Sequence, residues 1–460
     1  MSTIFNKQNI ADICKGEYVL PPKTEFSTPN LQDDTRKLRP GDIFIALQGE
    51  LTDGYNYIGT AADAGAALVI SQRRPDDALV EKLSKLGTGY LLVEDAMTAF
   101  HLLSSAHRQQ FANIKAVGIT GSCGKTSTKE MCAAIMEAIY PNAVVKTEGN
   151  TNNFFGVPRN LLRLTQDTKA MVIETGSNHP GEIARLAAVV KPDMALITCI
   201  GAAHLEFFKD LNGVAEEKGD IYQALPQDGI CIIPYQCPGY DILLRHANGR
   251  KVITFGLQDG ADVRAIYGGI RKTQNGFGYA LTLVRKDTGE KAEVTWGIGG
   301  EEQACNAAAA AALGIANGLP LQEAAKVLAN CKLPGARQAV SNINGVFWVN
   351  DAYNANPNSM SAGLKWFDEI SKGSKRIVII GDMREIGDAE VPLHEQALEL
   401  AQSLFKNDRL ITVGSSFAKC KAKVENYATA DEVHIAPEAG TWVYLKASNG
   451  VGLFKLVPKA

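Results

Sequence analysis

The sequence predicts an α/β protein built from three domains, and three observations support this. Its 460 residues are about three times the roughly 150 residues of an average domain. Short, almost continuous apolar runs alternate with helix-like segments, which is typical of parallel sheets whose two faces are covered by helices. A Pro334-Gly335 turn interrupts the chain before its C-terminal third. We therefore predict domains at residues 1–97, 98–331 and 332–460.

The composition excludes several classes of protein. With 47 basic and 50 acidic residues the formal charge is −3, so no global charge attracts nucleic acid or an anionic membrane. The longest apolar run, residues 307–313, is too short to cross a bilayer, and the N-terminus lacks a signal-peptide pattern. The nine cysteines include no CxxC pair, which favours reduced thiols. We expect a cytoplasmic monomer that binds neither nucleic acid nor membrane.

The first domain is predicted to be a small α/β unit. Residues 42–47 and 66–70 are apolar runs bounded by Gly and Asp turns, as expected of strands. Between them, residues 57–64 predict a helix that ends at Gly65, because glycine commonly ends helices.

The central domain is predicted to contain a mainly parallel sheet. It opens with a strand over residues 116–120, a glycine-rich turn, and a helix over residues 125–140 that Pro141 ends. Four further apolar runs predict strands at residues 170–174, 194–200, 229–233 and 251–255. Residues 261–296 alternate more and predict an antiparallel patch, whereas residues 304–316 predict an alanine-rich helix.

The C-terminal third is predicted to be a second doubly wound α/β domain. Its apolar runs at residues 345–350, 375–380 and 410–413 are separated by helical segments. Such an alternation is typical of a Rossmann-like sheet.

The strongest local signal is the glycine-rich turn between the strand at 116–120 and the helix at 125–140. Backbone N–H groups in such a turn, together with the helix N-terminus, form a cradle for phosphate oxygens. Lys125 would reach the β- and γ-phosphates, and the Thr126 hydroxyl would bind Mg²⁺. The strict GxxxxGK[ST] pattern fails because position 119 is Ile, so a plain glycine turn with a solvated lysine is the alternative. The predicted phosphate-binding residues are Gly121, Ser122, Cys123, Gly124, Lys125, Thr126 and Ser127.

Three other residues are candidates for chemistry, each with a simpler alternative. Glu174 ends a predicted strand, where a carboxylate can hold a hard cation or, equally, be solvated and cap the next turn. His204 follows a strand, and a lone histidine is more often packed or exposed than a ligand. Lys218 lies on a predicted helix beside Glu216 and Glu217, so on its own it indicates a solvated helix face.

Several motifs resemble those of one enzyme family. Thr120-Gly-Ser-Cys-Gly-Lys-Thr126 resembles the loop of the Mur ligases and folylpolyglutamate synthases, which use ATP to form amide bonds through an acyl phosphate. Asn350-Asp-Ala-Tyr-Asn-Ala-Asn-Pro-Asn-Ser-Met360 is similar to a signature of the Mur ligases that add D-alanyl-D-alanine to a UDP-N-acetylmuramoyl-tripeptide. Further matches lie, in order, at residues 35–54, 147–158, 174–183 and 381–394, so the resemblance covers nearly the whole chain.

The resemblance implies a fold, a reaction and roles for individual residues. The fold would comprise an N-terminal UDP-substrate domain, a central P-loop ATPase and a C-terminal Rossmann-like domain that closes over the site. The enzyme would use ATP and two Mg²⁺, with Thr126 and Glu174 as metal ligands and His204 joining them at the second ion. Lys218 occupies the position of a carbamylated lysine, so a carbamate on Lys218 is implied. Catalysis would thus involve Lys125, His204 and Lys218.

The same resemblance assigns binding residues and substrates. Asn306 and Asp351 would contact adenosine, while Arg337 and Asn354 would contribute from the closing domain. The substrates would be UDP-N-acetylmuramoyl-tripeptide and D-alanyl-D-alanine. The residues assigned to them are Thr35, Arg36, Gly49, Asp53, Asn152, Asn153 and Asn356.

Three departures from the family pattern and three rival functions accompany this hypothesis. Asn306 follows Glu302-Gln-Ala-Cys instead of Gly-x-His, Asn449 replaces an arginine, and Tyr55 replaces a histidine. The rivals are a ligase that adds a single diamino acid, a folylpolyglutamate synthase, and a non-catalytic nucleotide sensor. The Asp-Asn-Pro-Arg-type motif of the first is absent from the C-terminal third.

Overall fold

The structure, a computed structural model, describes residues 5–23, 30–273, 276–335, 337–422 and 424–458. The chain forms two compact units, each described by itself below. The first contains the described residues up to Ala116, with Ala143–Thr175 and Arg185–Pro192. The second contains Val117–Asn142, Gly176–Ala184 and the described residues from Asp193 onward. In the described part of the chain, no helix is both long enough and apolar enough to cross a membrane.

Strands and helices alternate along most of the chain. In chain order, the described strands are β1 (Glu17–Leu20), β2 (Leu31–Gln32), β3 (Ile43–Ile45), β4 (Leu68–Ser71), β5 (Gly89–Leu92), β6 (Lys115–Thr120), β7 (Val144–Lys146), β8 (Ala170–Glu174), β9 (Met194–Ile197), β10 (Ile230–Pro234), β11 (Lys251–Gly256), β12 (Val263–Thr273), β13 (Gly276–Arg285), β14 (Lys291–Trp296), β15 (Ala339–Ile343), β16 (Val346–Asn350), β17 (Arg376–Gly381), β18 (Arg409–Val413), β19 (Glu425–Tyr427) and β20 (Trp442–Lys446). The described α-helices are α1 (Lys7–Cys14), α2 (Ile58–Asp63), α3 (Asp77–Leu86), α4 (Ala96–Gln109), α5 (Lys125–Ile139), α6 (Gly156–Leu161), α7 (Glu182–Val190), α8 (Leu205–Phe208), α9 (Leu211–Gln223), α10 (Tyr240–Ala247), α11 (Glu301–Ala316), α12 (Leu321–Ala329), α13 (Pro357–Ser371), α14 (Glu390–Leu404) and α15 (Ser415–Ala418).

The N-terminal sheet of the first unit has the order β1-β5-β4-β3-β2. β2 to β5 pair in parallel and β1 pairs antiparallel with β5. Separate apolar cores cover its two faces, one including Phe100 of α4 and the other Ile58 of α2. The predicted strands and helix of this region are confirmed, with α2 ending at Asp63 just before Gly65, whose φ is +86°.

The rest of the first unit is built around the parallel pair β7–β8. Apolar side chains of β8 pack with α6 and with the C-terminal part of α7 in one core, which includes Ile173, Val157 and Val190. β8 is buried along its whole length, and this brings the carboxylate of its last residue, Glu174, into the interior.

The second unit begins with a sheet in the order β14-β13-β12-β11-β10-β9-β6. The strands from β6 to β12 pair in parallel, and β12, β13 and β14 pair antiparallel. Both the predicted parallel strands and the predicted antiparallel patch are therefore confirmed, although residues 274–275 of the patch lie outside the described residues.

The alanine-rich helix α11 packs against α5, β11 and β12. Six consecutive alanines, residues 307–312, are completely buried. A helix with methyl side chains can approach its neighbours closely, since each alanine fills little volume and loses no side-chain entropy on burial. This close packing brings the first turns of α11 against the N-terminus of α5.

The C-terminal part of the second unit carries a sheet in the order β15-β16-β20-β17-β18-β19. Only β15 pairs antiparallel among these described strands, at one edge. Helix α13 begins at an Asn356 capping box and has Pro357 at its first position, which pre-sets the helical φ. The predicted Rossmann-like domain is confirmed as a mainly parallel α/β sheet.

Candidate active site

The glycine-rich loop connects β6 to α5 in the way the sequence predicts. Gly124 precedes the helix at φ +75°, and no side chain of a described residue caps the helix at Gly124. Gly121 has a φ of +146°, and a Cβ there would lie 2.0 Å from the Thr198 hydroxyl. Only glycine fits at these two points. The first N–H groups of α5 and the positive end of its dipole thus remain available for an anion.

Lys125 is folded over the loop, so the alternative of a plain solvated lysine is wrong. Its Nζ donates to the Gly121 carbonyl at 2.7 Å and to that of Ser122 at 3.5 Å. Thr126 and Ser127 follow it in the first turn of α5, and both are buried. The ammonium therefore lies at the mouth of the cradle, where it can exchange its carbonyl partners for phosphate oxygens.

The loop is held in place by the residues that follow β9. The Ser122 N–H donates to the Cys199 carbonyl at 3.0 Å. The Ser122 hydroxyl donates to the Gly201 carbonyl at 3.0 Å, and it accepts from the Gly201 N–H at the same distance. The Thr198 hydroxyl donates to the Cys123 carbonyl. These bonds fix the loop to the segment after β9, and Asn306 near the start of α11 packs against Gly124 of the loop.

Asn306 of α11 lies directly against the loop. Its Oδ1 would be 2.8 Å from a Cβ built on Gly124, so glycine is required there for the approach as well as for its φ. The Asn306 amide donates to Gln303 at 3.2 Å. The structure thus brings Asn306 and the predicted phosphate-binding residues together although about 180 residues separate them.

Lys218 is on α9, as predicted, but its side chain is buried. The alternative that Lys218 lies on a solvated helix face, which its acidic neighbours had indicated, is therefore wrong. Its side chain is 1% exposed, and its Nζ donates to the Ser177 hydroxyl at 2.7 Å. Nζ also lies 5.5 Å above the Phe208 ring. Burial, assisted by the charge of Lys125, lowers the pKa of Lys218 to about 7. A neutral amine is therefore accessible near physiological pH.

The acidic neighbours of Lys218 point elsewhere. Glu217 accepts from the backbone N–H of Gly181 at 2.6 Å and of Ile183 at 2.9 Å, near the start of α7. Glu216 contacts Arg245 and His246. Helical geometry places adjacent residues about 100° apart, so two neighbouring carboxylates need not face the lysine.

Ser177, the hydrogen-bond partner of Lys218, was missed by the sequence analysis, although it lies close after Glu174 in the same motif.

His204 and Glu385 meet within the second unit. His204 lies just before α8 with a φ of +53°, and its Nδ1 is 2.9 Å from Oε2 of Glu385. The contact with the His204 imidazole lowers the pKa of Glu385. Glu385 belongs to the Gly381–Gly387 block that the sequence analysis singled out, yet only the fold shows that it faces His204.

Glu174 is buried, so the alternative of a solvated capping carboxylate is wrong. The residue is 1% exposed, and its Oε1 accepts from the Asn152 amide at 2.7 Å. Its Oε2 has no hydrogen-bond partner among the described residues. A buried carboxylate oxygen without a partner is costly unless a cation or water satisfies it. In the described part of the chain, no three His, Cys, Asp or Glu side chains form a metal cluster, at Glu174 or at any other point.

Asp351 is the centre of a buried polar network in the C-terminal sheet. Lys446 Nζ lies 2.8 Å from Oδ2 of Asp351, and the Tyr444 hydroxyl donates to the same oxygen at 3.0 Å. Lys446 also donates to the Asn354 carbonyl at 3.3 Å. The sequence analysis named Asp351 and Asn354 but not Lys446, which begins the altered Lys446-Ala-Ser-Asn449 segment.

Arg337 and Asn356 have structural contacts of their own. The Arg337 guanidinium lies 3.8 Å from the centre of the Tyr353 ring. The Asn356 side chain accepts from the Ser359 N–H at 2.8 Å and so caps α13. This bond uses the side-chain oxygen of Asn356 and not its NH₂ group.

Four of the predicted substrate residues lie in turns and short 3-10 helices of the N-terminal part of the first unit. Asp53 accepts from the Tyr55 N–H at 3.0 Å and pairs with Arg73 at 2.6 Å. Arg73 lies 5.3 Å above the ring of Tyr55, so this departure from the family pattern has a partner of its own. The other three make the following contacts: Thr35 opens a short 3-10 turn, Arg36 pairs with Asp34, and the Gly49 N–H donates to Thr52.

Asn152 and Asn153 lie beside each other in the amide-rich segment but have different contacts. Asn152 donates to Glu174, as described above. Asn153 Oδ1 accepts from the N–H groups of Phe155 at 3.2 Å and Gly156 at 3.0 Å, which orients the start of α6. Of the two, only Asn152 touches a residue predicted to bind metal.

Comparisons with known proteins agree with this arrangement. Residues 119–314 match the Mur ligase middle domain, and residues 337–448 match the Mur ligase glutamate ligase domain. The chain is 31% identical over 470 residues to the UDP-N-acetylmuramoyl-tripeptide–D-alanyl-D-alanine ligase of Bacillus subtilis, covering 98% of this chain and 97% of that protein.

Solved structures show the same relationship. A crystal structure of MurF from Acinetobacter baumannii superposes with a TM-score of 0.84 at 27% identity, covering 99% of this chain and 98% of that one. The MurF ligase of Thermotoga maritima in complex with ADP superposes with a TM-score of 0.77 at 25% identity, covering 93% and 96%. The chain therefore belongs to the Mur ligase family, in the branch of the UDP-N-acetylmuramoyl-tripeptide–D-alanyl-D-alanine ligases.

Proposed function

We propose that this chain is an ATP-dependent amide-bond ligase that adds D-alanyl-D-alanine to a UDP-N-acetylmuramoyl-tripeptide in peptidoglycan synthesis. The observation that carries the proposal is the loop at residues 121–126, with Lys125 folded over an uncapped helix N-terminus. The similarity to ligases of this name over nearly the full chain length supports the choice of substrates. We assign the UDP-substrate, ATPase and closing functions to residues 1–97, 98–331 and 332–460.

The reaction needs ATP because a carboxylate is a poor acylating agent at neutral pH. Transfer of the γ-phosphoryl group to the terminal carboxylate of the tripeptide gives an acyl phosphate. The free amine of D-alanyl-D-alanine attacks that carbonyl, and the tetrahedral intermediate expels phosphate. The protein has to position three reactants and balance negative charge where phosphoryl and carboxyl oxygens crowd together.

The chain can supply part of this positive charge from the phosphate loop. The N–H groups at the start of α5 would hold the β-phosphate, and Lys125 would leave the Gly121 carbonyl to bind the β- and γ-phosphates. We assign Asn306, which lies beside Gly124, to the adenosine. We assign Arg337, Asp351 and Asn354 to the same nucleotide from the C-terminal part. The ADP in the related Thermotoga ligase supports a nucleotide here.

We assign Thr126, Glu174, His204 and Lys218 to Mg²⁺. The partnerless Oε2 of Glu174 supports this, because a hard cation would satisfy it. Mg²⁺, when bound, would neutralise the phosphate oxygens around which the reaction takes place. Glu385, whose Oε2 lies 2.9 Å from Nδ1 of His204, would place a carboxylate beside this imidazole.

We further propose that Lys218 is carbamylated. Reaction with CO₂ requires a neutral amine, and burial lowers the pKa of Lys218 to about 7. The carbamate would carry a negative charge, with Ser177 at hydrogen-bond distance from the nitrogen that forms it. It would turn a cation that repels Mg²⁺ into a hard oxygen ligand.

The remaining assignments concern the two substrates. Thr35, Arg36, Gly49 and Asp53 are assigned to the UDP-sugar, and Asn152, Asn153 and Asn356 to the peptide parts. The side-chain amide groups of Asn153 and Asn356 would serve as donors for peptide carbonyls, since their oxygens already bind backbone N–H groups. We also propose a cytoplasmic location, which is consistent with a soluble nucleotide-sugar substrate and with the need for ATP, and a monomeric state.

Phosphate release is the direct test of this function. With ATP, Mg²⁺ and UDP-N-acetylmuramoyl-tripeptide, release should depend on D-alanyl-D-alanine and should not be supported by meso-diaminopimelate, L-lysine or L-glutamate. Lys125→Ala should lower the rate by about a thousandfold or more, since it removes the positive charge that would lie beside the phosphoryl group during its transfer. Lys115→Ala, at an exposed position on β6, is the matched control and should keep the wild-type rate. A preference for any of the other amines would contradict the proposed acceptor.

A further inference from the structure

Two cysteines meet at the phosphate loop. Cys123 is in the loop itself, and Cys199 comes two residues after the end of β9. Their Sγ atoms are 3.0 Å apart, and the Cys123 N–H points at the Cys199 sulfur at 3.3 Å. Both residues are half-buried free thiols.

The electrostatic environment of this pair differs from that of other cysteines in the chain. Burial raises the pKa of Cys14, Cys231 and Cys237 to about 12, which keeps them as inert thiols. Hydrogen bonds from the Cys123 side chain and backbone, with the nearby charge of Lys125, lower the pKa of Cys199. One sulfur of the pair is therefore favoured as a thiolate beside a second sulfur that is still protonated.

We propose that Cys123 and Cys199 form a reversible disulfide when a peroxide oxidises them, and that this bond switches off nucleotide binding at the loop. The inference rests on the proposed function in one respect, namely that the loop binds the phosphates of ATP. The formation of the disulfide itself is independent of that function.

The chemistry balances with hydrogen peroxide as the oxidant. The Cys199 thiolate attacks one peroxide oxygen, the O–O bond breaks, and hydroxide leaves with a proton from solvent as water. The Cys199 sulfenic acid is then attacked by Cys123, forming the S–S bond and expelling a second water, which takes up the Cys123 thiol proton. Two thiols lose two electrons in total, and one peroxide is reduced to two waters.

The bond would change the loop at the point where phosphate is bound. A disulfide has an S–S length of about 2.05 Å, so the two sulfurs must approach by roughly 1 Å. That movement draws Cys123 toward β9 and holds its N–H on the side of Cys199. Backbone N–H groups of the loop must instead face the phosphate oxygens. Oxidation should therefore weaken nucleotide binding without removing any charged residue.

The test uses the full-length protein with ATP and hydrogen peroxide as the probes. Binding of a fluorescent ATP analogue should weaken by at least about tenfold after peroxide treatment, the cost of one lost hydrogen bond to a charged group. Dithiothreitol should restore it. Peptide mapping of the treated protein should show a Cys123–Cys199 cross-linked peptide, and prior binding of ATP should slow its formation.

Two variants separate this mechanism from general oxidation. Cys199→Ser should bind the analogue as before and should be unaffected by peroxide, whereas Cys237→Ser, at another half-buried cysteine, should be as sensitive as the wild type. Cys199→Ala replaces Cys199→Ser if circular dichroism shows that the serine variant is unfolded. Absence of the cross-linked peptide, or full nucleotide binding by the cross-linked protein, would overturn the proposal. Failure of the reduced wild type to bind ATP would instead count against the proposed function.

Discussion

Two buried lysines of the second unit differ in their partners, since one is paired with a carboxylate and the other is not. Lys446, at the end of β20, is 3% exposed and pairs with Asp351 at 2.8 Å, with the Asn354 carbonyl as a further acceptor. Lys218, on α9, is 1% exposed, and no described carboxylate pairs with it. Its nearest polar partner is the Ser177 hydroxyl, and an aromatic ring covers it.

The difference teaches how burial can serve either structure or reactivity. A buried ammonium with a carboxylate at hydrogen-bond distance keeps its proton and fixes two elements to each other. A buried ammonium without one is destabilised relative to the neutral amine, which is the form that reacts with CO₂. The region around Lys446 therefore behaves as a structural clamp, and the region around Lys218 as a site prepared for modification.

The largest expected effect concerns activity at Lys218. Lys218→Ala should lower the ligation rate by about a thousandfold, more than the 10–100-fold typical of residues that only support a metal ligand. Added acetate or another short-chain carboxylate should restore part of the rate by taking the place of the carbamate. Steady-state phosphate release measures both effects, and circular dichroism checks the fold. A near-normal rate for the alanine variant would show that no carbamate is needed.

The second expected effect contrasts the stabilities of two methionine variants. Lys446→Met leaves Asp351 buried without its cation and should lower the free energy of unfolding by about 3 kcal/mol. Lys218→Met leaves no carboxylate behind and should be neutral or stabilising. Thermal melting of the two variants in CO₂-free buffer, followed by circular dichroism, makes the comparison. Equal losses of melting temperature would mean that both lysines are structural.

The last expected effect is on the pH dependence of stability. The pKa of Lys218 is about 7 in the folded chain and 10.5 for a lysine exposed to solvent, as in the unfolded chain, so between these pH values the unfolded chain binds one more proton. Stability should therefore rise as the pH increases from about 7 to about 10.5, and below 7 this group should contribute no slope.

Lys218→Met removes this titration but leaves the other groups that titrate in the same pH range. The variant is therefore the control for the wild type. Urea unfolding at several pH values in CO₂-free buffer should give a steeper rise for the wild type than for the variant. Parallel curves would show that Lys218 stays protonated despite its burial.

Local sequence patterns predicted most of the strands and helices but not all of their bounds. The phosphate loop was predictable because a strand, a glycine-rich turn and a helix start are contiguous, and each has its own residue signal. The predicted strand over residues 194–200 was too long, since β9 ends at Ile197 and the chain then turns to hold the loop through Cys199 and Gly201. Apolarity alone does not distinguish a strand from a buried turn.

The motifs of the chain also predicted many candidate residues without predicting their partners. Glu385 was part of a recognised block, but its contact with His204 spans about 180 residues. Lys446 lies three residues before the departure at Asn449 and was not itself a candidate, whereas it is the cation that compensates Asp351.

By itself, the sequence determined the alternation of strands and helices, the phosphate-binding loop and the family resemblance, because these depend on residues close together in the chain. Only the tertiary structure decided which charged groups are paired. Lys218 has acidic neighbours in sequence but no carboxylate partner among the described residues, since Glu216 and Glu217 project from other sides of α9. The pKa of an ionisable group depends on its burial and on the charges that surround it in three dimensions, and neither can be read from adjacent residues.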